Sequence, residues 1–315
     1  MLIKPIFSDK YEPKTIETLP VNTSLITLFK NFIKINRIQL LLISDDDYLK
    51  LTIIKLFIKT LSVNNNDILY TSKLKEQGVS KMRYEIKMFC QTPSKFGKKI
   101  LVVDDIHIFS GTIQKLFVNN IDKWNKNIHV LVTTNNIYSV DEILVTRLFP
   151  INIPSISSTN IIKMIKNICS KEQLNISDTS QNLICLLSQQ NIQNVYHILE
   201  KCALLQKANI EITTDIIKKC STLINFDILK QYFILCKNHE LHAGYYHLLK
   251  IIDNGHSVLD ILNEISNYSK ITDILNEEQK YKCCKLVAQY IVVFITIHEE
   301  ELELLLFTQD FLDIF

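Results

Sequence analysis

Glycine and proline are scarce in this chain. Only five of 315 residues are glycine and six are proline, and no proline lies beyond Pro154. Collagen-like, linker-rich and low-complexity architectures are thereby excluded. Arginine is rarer still, with Arg37, Arg83 and Arg147 alone among a basic complement otherwise made of lysine. Together with abundant Ile and Asn, this has the look of coding bias in an AT-rich genome. It puts a specific question to each surviving guanidinium, because lysine does not replace its planar fork everywhere. The longest apolar stretches, such as Leu286–Ile297, fall short of the ~20 residues that a membrane-spanning helix needs. The opening MLIKPIFSDKYEPK has no apolar run after its basic residues, so no secretory signal is expected. None of the eight cysteines stands in a C-x-x-C pair, which argues against a zinc ribbon or a thioredoxin-like site and for buried thiols in a reducing compartment. The formal net charge is only +2, so a hold on nucleic acid would have to come from local patches.

What is present is material for sizeable cores: 47% hydrophobic and 22% charged residues over a length that suggests two or three domains. Residues 1 to about 155 alternate between β-rich runs and amphipathic helical patterns. Leu40–Ser44 reads as a strand buried on both faces, followed by a helix over Leu49–Leu61. Strands are expected again at Ile68–Thr71, Lys99–Asp104 and Ile128–Thr134, with helices over 77–90 and 111–124. That alternation implies an α/β domain with a mostly parallel sheet. Beyond Pro154 only helical spacing is found. Ile161–Cys169, Gln181–Leu187 and Ile192–Leu205 suggest a small helical domain over 156–217. Leu229–His239, Leu241–Ile252, Val258–Ile265 and Glu277–Phe307 suggest a larger one over 218–315. In the tail, Ile291–Leu306 is expected as an apolar helix face with Glu299, Glu300, Glu301 and Glu303 opposite it.

The strand ILVVDDIH ends in Asp104 and Asp105. A nucleotide-hydrolysing core uses such a pair, one carboxylate for Mg²⁺ and one for water, although strand ends often carry solvated acids as well. Five further stretches set this strand in context. DKYEPKTIETL at 9–19 resembles the opening segment of replication factor C small subunits, and KEQGVSKMRYEIKMF at 75–89 the segment after their second strand. VDDIHIFSGTIQKLF at 103–117 resembles their Walker B strand and next helix. LVTTNN at 131–136 resembles sensor 1, and EILVTRL at 142–148 the Ser-Arg-Cys motif. NEEQKYKCCKLVAQY at 276–290 is similar to the collar domain, so the likeness covers nearly the whole chain. It implies α/β plus all-α architecture: an AAA+ core with a parallel sheet over 1–155, a helical lid over 156–217 and a helical collar used for oligomerisation over 218–315.

The departures from that family concern ATP. A phosphate loop needs glycines so that backbone N–H groups wrap the phosphates. Residues 44–52 read SDDDYLKLT, with no glycine and three aspartates where phosphates would lie. Unit charges ~4 Å apart repel by roughly 1 to 4 kcal/mol, depending on the dielectric. Lys50 aligns with the Walker lysine, but Leu51 replaces the Mg²⁺-binding hydroxyl, and Lys50 is expected to be a surface lysine at a helix start. Gln193 stands where the family's sensor 2 arginine would, and Asp105 shortens the usual catalytic Glu. Asp104 and Asn135 match family positions as folding residues or relics. No cofactor is therefore expected in this chain, with ATP and Mg²⁺ left to neighbouring subunits.

Arg147 points the other way. Its family equivalent reaches the ATP site of the adjacent subunit as an arginine finger. Thr146 and Leu148 replace the flanking Ser and Cys, and Val118 and Asn119 replace a pair of arginines in the helix after Walker B. For duplex contact the candidates are Ser110, at a helix start, and Arg83 with Lys87, four apart on one helix face. A solvated basic face accounts for the last two equally well, and any phosphate contact there would be sequence-independent and salt-sensitive. The likeness also places a clamp contact near Gln114–Phe117. His239, His242 and His247 lack the acids or cysteines that would complete a metal set. The expectation is a non-hydrolysing subunit of a hetero-pentameric clamp loader. Its partners would be other loader subunits, a sliding clamp and primer-template DNA, with no membrane, in the nucleus or a cytoplasmic viral factory. The alternatives are an active DNA-dependent ATPase with a divergent loop and a structural adaptor reusing the fold.

Overall fold

The computed structural model describes residues 6–35, 38–61, 64–71, 79–94, 97–220, 224, 226–297 and 301–315. The chain divides into two compact units, Met1–Ile217 and Lys218–Phe315.

In the first unit, helices α1 (Phe7–Lys10) and α2 (Thr23–Ile35) lead into β1 (Gln39–Ile43) and α3 (Asp47–Thr60). Then follow β2 (Ile68–Tyr70), α4 (Val79–Gln91), β3 (Lys99–Val103), α5 (Gly111–Trp124), β4 (Ile128–Thr134), α6 (Glu142–Val145) and β5 (Phe149–Asn152). The strands form one sheet in the order β2-β3-β4-β1-β5, and every neighbouring pair is parallel. Central β1 pairs on both sides, Leu40 with Leu131 of β4 and with Phe149 of β5.

The unbroken apolar runs follow from burial on both faces. Successive side chains point to opposite faces, so Leu40, Leu42, Ile100 and Val102 join one core while Leu41, Leu101, Val103 and Val132 join the other. Helix α3 covers the first face, and α4 and α5 cover the second. The crossover helices run back against the strands, so α3, α4 and α5 all begin at the C-terminal edge of the sheet.

Helices α7 (Ser158–Glu172), α8 (Asp178–Leu187), α9 (Ile192–Lys207) and α10 (Thr214–Cys220) follow. Their apolar stripes, including Ile161, Ile165, Val195 and Leu199, are buried in the same core as α3. Asn191 caps α9, its Oδ1 accepting from the Gln193 and Asn194 amides. Ser177 caps α8 in the same manner. Several elements have no counterpart among the sequence expectations, among them the short helices α1 and α6, helix α2 and strand β5. Helix α2 fully buries only Phe29, with Leu25, Ile26, Phe32 and Ile33 partly buried beside it and Leu28 and Ile35 exposed. Strand β5 contains Pro150 and buries only Ile151, so it shows no apolar run.

The second unit is helical among its described residues: α11 (Phe226–Lys237), α12 (Leu241–Asp253), α13 (Val258–Ile271), α14 (Glu277–Ile297) and α15 (Glu301–Leu312). Its core is aromatic. Phe311 stacks on Tyr232 at 5.7 Å and meets Phe233 edge-on at 5.1 Å. The single helix expected over Glu277–Phe307 is instead a pair, α15 folded back on α14. The Tyr290 ring packs on Phe307 at 5.3 Å, Tyr290 Oη donates to Asp310 at 2.6 Å, and Gln279 Nε2 donates to the Ile314 carbonyl at 3.0 Å. The reversal buries Leu304, Phe307 and Phe311, which a straight helix would leave in water. It also buries Glu303, which helical spacing had placed on the solvent side. Glu299 and Glu300 lie outside the described residues.

Candidate functional site

Three residues, Ser44, Asp45 and Asp46, separate β1 from α3 at the C-terminal edge of the sheet. Asp46 caps the helix, its Oδ1 accepting from the Leu49 amide at 3.2 Å, and its own amide donates to Ser44 Oγ at 3.2 Å. The Lys50 amide donates to the Asp46 carbonyl at 3.2 Å. The stretch aligned with a phosphate loop is thus a cap and a first helical turn, and these amides already have intrachain acceptors. Burial pushes the Asp46 carboxyl above its ordinary range, against the pull of the Leu49, Tyr48 and Ile192 amides.

Lys50 is not the surface lysine that its place at a helix start suggested. It is 1% exposed. Its ammonium lies 2.7 Å from Asp47 Oδ1 and 3.6 Å from Asp105 Oδ1, and it donates to Asn135 Oδ1. The partners come from the first turn of α3, the end of β3 and the end of β4. Parallel pairing of β1, β3 and β4 brings those three ends together. Asp105 adopts a left-handed backbone with φ 50°, which a short polar side chain tolerates. Its amide donates to Thr133 Oγ1 at 2.9 Å, and that hydroxyl donates to Asp104 Oδ1 at 2.8 Å. Lys50, Asp104, Asp105 and Asn135 are therefore in one cluster. Leu51 is part-exposed beside it. Gln193 is exposed on the first turn of α9. Helices α3 and α9 meet through Tyr48 and Tyr196, edge-to-face at 6.0 Å. Burial pushes the Tyr48 phenol up to about 12.

Arg147 lies at the opposite end of the sheet, just before β5, whose first residue pairs with Leu40 near the start of β1. It is exposed and not part of the Lys50 cluster. Its Nε donates to Asp122 Oδ1 of α5 at 2.8 Å and its Nη1 to Thr146 Oγ1 at 3.4 Å. A cavity of about 210 Å³ opens beside it, lined in part by Gln39, Asp122 and Asn125. Of the residues replacing the family's arginine pair, Val118 is buried and Asn119 exposed.

Arg83 and Lys87 are exposed on α4, flanking the stripe of buried Met82, Ile86 and Cys90. Ser110 is exposed at the N-cap of α5, but its hydroxyl meets Thr112 Oγ1 at 2.9 Å rather than an amide. Of the stretch Gln114–Phe117, where a clamp contact was expected, Gln114 and Phe117 are internal and Lys115 is exposed. Gln114 Nε2 donates to the Phe109 carbonyl at 3.0 Å, and its Oε1 accepts from the Asp141 amide at 2.7 Å. It ties two loops together, a role with no signature in a single sequence. Among the described residues no set of three or more His, Cys, Asp or Glu side chains is placed to hold a metal ion, and no helix is long and apolar enough to cross a membrane.

No family model matches the chain. It is 22% identical over 199 residues to replication factor C subunit 3 of Saccharomyces cerevisiae, covering 62% of this chain and 58% of that protein. It is 24% identical over 118 residues to DNA polymerase III subunit gamma of Buchnera aphidicola, covering 38% of this chain and 32% of the relative. The chain thus spans less than two thirds of either relative's length. Among solved structures it is similar to the RuvB Holliday junction branch migration motor of Thermotoga maritima. That likeness has a TM-score of 0.54 at 15% identity and covers 71% of this chain and 78% of the other. The chain is clamp-loader-like in sequence and AAA+ in fold.

Proposed function

We propose that this chain is a non-hydrolysing subunit of a replication-factor-C-like clamp loader, and that it lends Arg147 to the ATP site of a neighbouring subunit. The similarity to replication factor C subunit 3 and DNA polymerase III subunit gamma supports the loader role. The observation that carries the division of labour is the contrast between two cations. Lys50 is 1% exposed and already partnered by Asp47, Asp105 and Asn135. Arg147 is exposed at the other end of the sheet with a single carboxylate partner.

The residues at the Lys50 end do not fit a magnesium nucleotide. Helix α3 starts at Asp47, so no open loop of amides remains to wrap phosphates, and Asp45 and Asp47 present carboxylates at its mouth. Bringing a triphosphate there sets like charges together and requires Lys50 to leave its partners. An exposed guanidinium keeps its charge at every physiological pH and can exchange an intrachain carboxylate for the phosphoryl group of a neighbour.

In this reading the helical second unit joins the chain to other subunits of a hetero-pentamer, and the assembly acts on a sliding clamp and primer-template DNA. Ser110 stands at a helix start, and Arg83 and Lys87 are exposed along α4, available to template phosphates. Co-expression of the chain with candidate loader subunits and a sliding clamp, resolved by size-exclusion chromatography, tests the assignment. Co-elution in one stoichiometric complex is expected. Elution of this chain by itself from an otherwise complete loader overturns it.

A further inference from the structure

A groove of about 840 Å³ opens in the first unit between the segment around residues 10–20 and helix α7. It shares no residue with the Lys50 cluster or the Arg147 corner. One wall carries Lys10 and Lys14, and the other carries Lys163 and Lys171. Positions 163 and 171 are two helical turns apart on one face of α7. Met164, Ile168 and Tyr196 supply an apolar floor.

One carboxylate, Glu12, lines this groove and another, Glu172, lies beside it, and both are already engaged. Glu12 pairs with Lys55 at 2.8 Å. Glu172 accepts from Lys10 and from Tyr11 Oη, and these partners lower its pKa, the Lys10 hydrogen bond most. Among the described residues Lys14, Lys163 and Lys171 have no ion pair. Lys171 sits 5.7 Å from the centre of the Tyr11 ring, so its stem is held toward the groove. Uncompensated ammonium groups on facing walls repel one another, and a concave wall of low dielectric focuses their field inward. A multivalent anion relieves that repulsion. Flexible ammonium groups converging from two sides suit a tetrahedral anion better than one planar carboxylate, which favours a bidentate guanidinium. The volume lies in the range of sites that enclose small ligands, about 300–1,000 Å³.

We propose that this groove binds an oligophosphate anion, with Lys14, Lys163 and Lys171 as its cationic walls and the apolar floor receiving the organic group that carries the phosphates. The assignment stands independently of the clamp-loader reading.

Isothermal titration of the full chain with inorganic tripolyphosphate, without divalent metal, tests it. One saturable site is expected. Lys163→Gln and Lys171→Gln should each weaken it roughly tenfold, the scale of one lost charge-assisted contact. Lys81→Gln, which removes an exposed lysine on α4, should leave it unchanged. Parallel titrations with a nucleoside triphosphate and a short oligodeoxynucleotide show whether the phosphates come from a small molecule or a strand. Either result supports the groove if it depends on Lys163 and Lys171. Three outcomes overturn it: no binding at millimolar tripolyphosphate, equal binding by the double variant, or equal competition by a polyglutamate peptide. Nucleotide binding that survives loss of both lysines overturns the groove and counts separately against the closed Lys50 end.

Discussion

The two ends of the parallel sheet treat their basic groups in opposite ways. At the C-terminal edge, Lys50 is enclosed, held by carboxylates from α3 and from the end of β3 and by the Asn135 amide oxygen. At the N-terminal edge, Arg147 is open to solvent with one partly exposed partner. The buried base there, His129, is 2% exposed and accepts from the Ile38 amide at 3.2 Å. Burial depresses its pKa to about 4, so it stays neutral. The lesson is one of desolvation. A buried cation persists where acids meet it from several elements, and without them the buried base gives up its proton. The sheet thus holds one basic group among carboxylates at its C-terminal edge and leaves another exposed at its N-terminal edge.

Removing the enclosed cation should have the largest effect. Lys50→Ala leaves Asp105 without its counter-charge, and one broken partner in such a cluster costs about 4 kcal/mol. Urea unfolding followed by fluorescence of Trp124, the chain's single tryptophan and part of the first unit, reads this directly. A loss below about 1 kcal/mol would show that the ions are solvated and the ends alike.

Acidification probes the neutral base. His129 binds its proton near pH 6.5 when unfolded and near pH 4 when folded, so the unfolded chain holds more protons between those values. Stability of the first unit should therefore fall as pH drops from 6.5 to 4, by about 3 kcal/mol from this group. His129→Gln should flatten that part of the pH profile.

Asp46 gives a smaller test with the opposite sign. Its folded pKa is raised, so its charge opposes folding above that value. Asp46→Asn keeps a helix cap of equal quality and should gain stability at neutral pH. The gain should vanish as pH falls toward 3.8, the ordinary value for the group. The smallest effect belongs to the open end, where Arg147→Ala should change stability by less than about 0.5 kcal/mol, as for exposed ion pairs generally.

Much of the core was legible in the sequence. The strands at 40, 100 and 128 announce themselves because two-sided burial demands continuous apolar runs, and β4 spans the expected Ile128–Thr134. The acids ending β3 marked one edge of the sheet. What spacing could not show was depth. Lys50 lies near a helix start, which usually means solvent, but α3 begins at Asp47 and the ends of β3 and β4 close over the ammonium. Nothing local marks Gln114 as internal, yet its amide joins two loops. The reversal before α15 has no glycine or proline to mark it, and only the burial of Phe307 and Phe311 requires it. Local pattern reports which face is apolar, while tertiary packing decides which polar groups go inside.

The central claim is that this chain contributes through Arg147 and not through Lys50. Steady-state ATP hydrolysis by the assembled loader, compared between Arg147→Ala and Lys50→Arg, tests it most directly. The Lys50→Arg variant preserves the enclosed charge. The account predicts that Arg147→Ala lowers hydrolysis at the neighbouring site on the order of a thousandfold, the lower end of the range for arginine fingers, while Lys50→Arg leaves it unchanged. Loss of activity with Lys50→Arg and full activity with Arg147→Ala would contradict it.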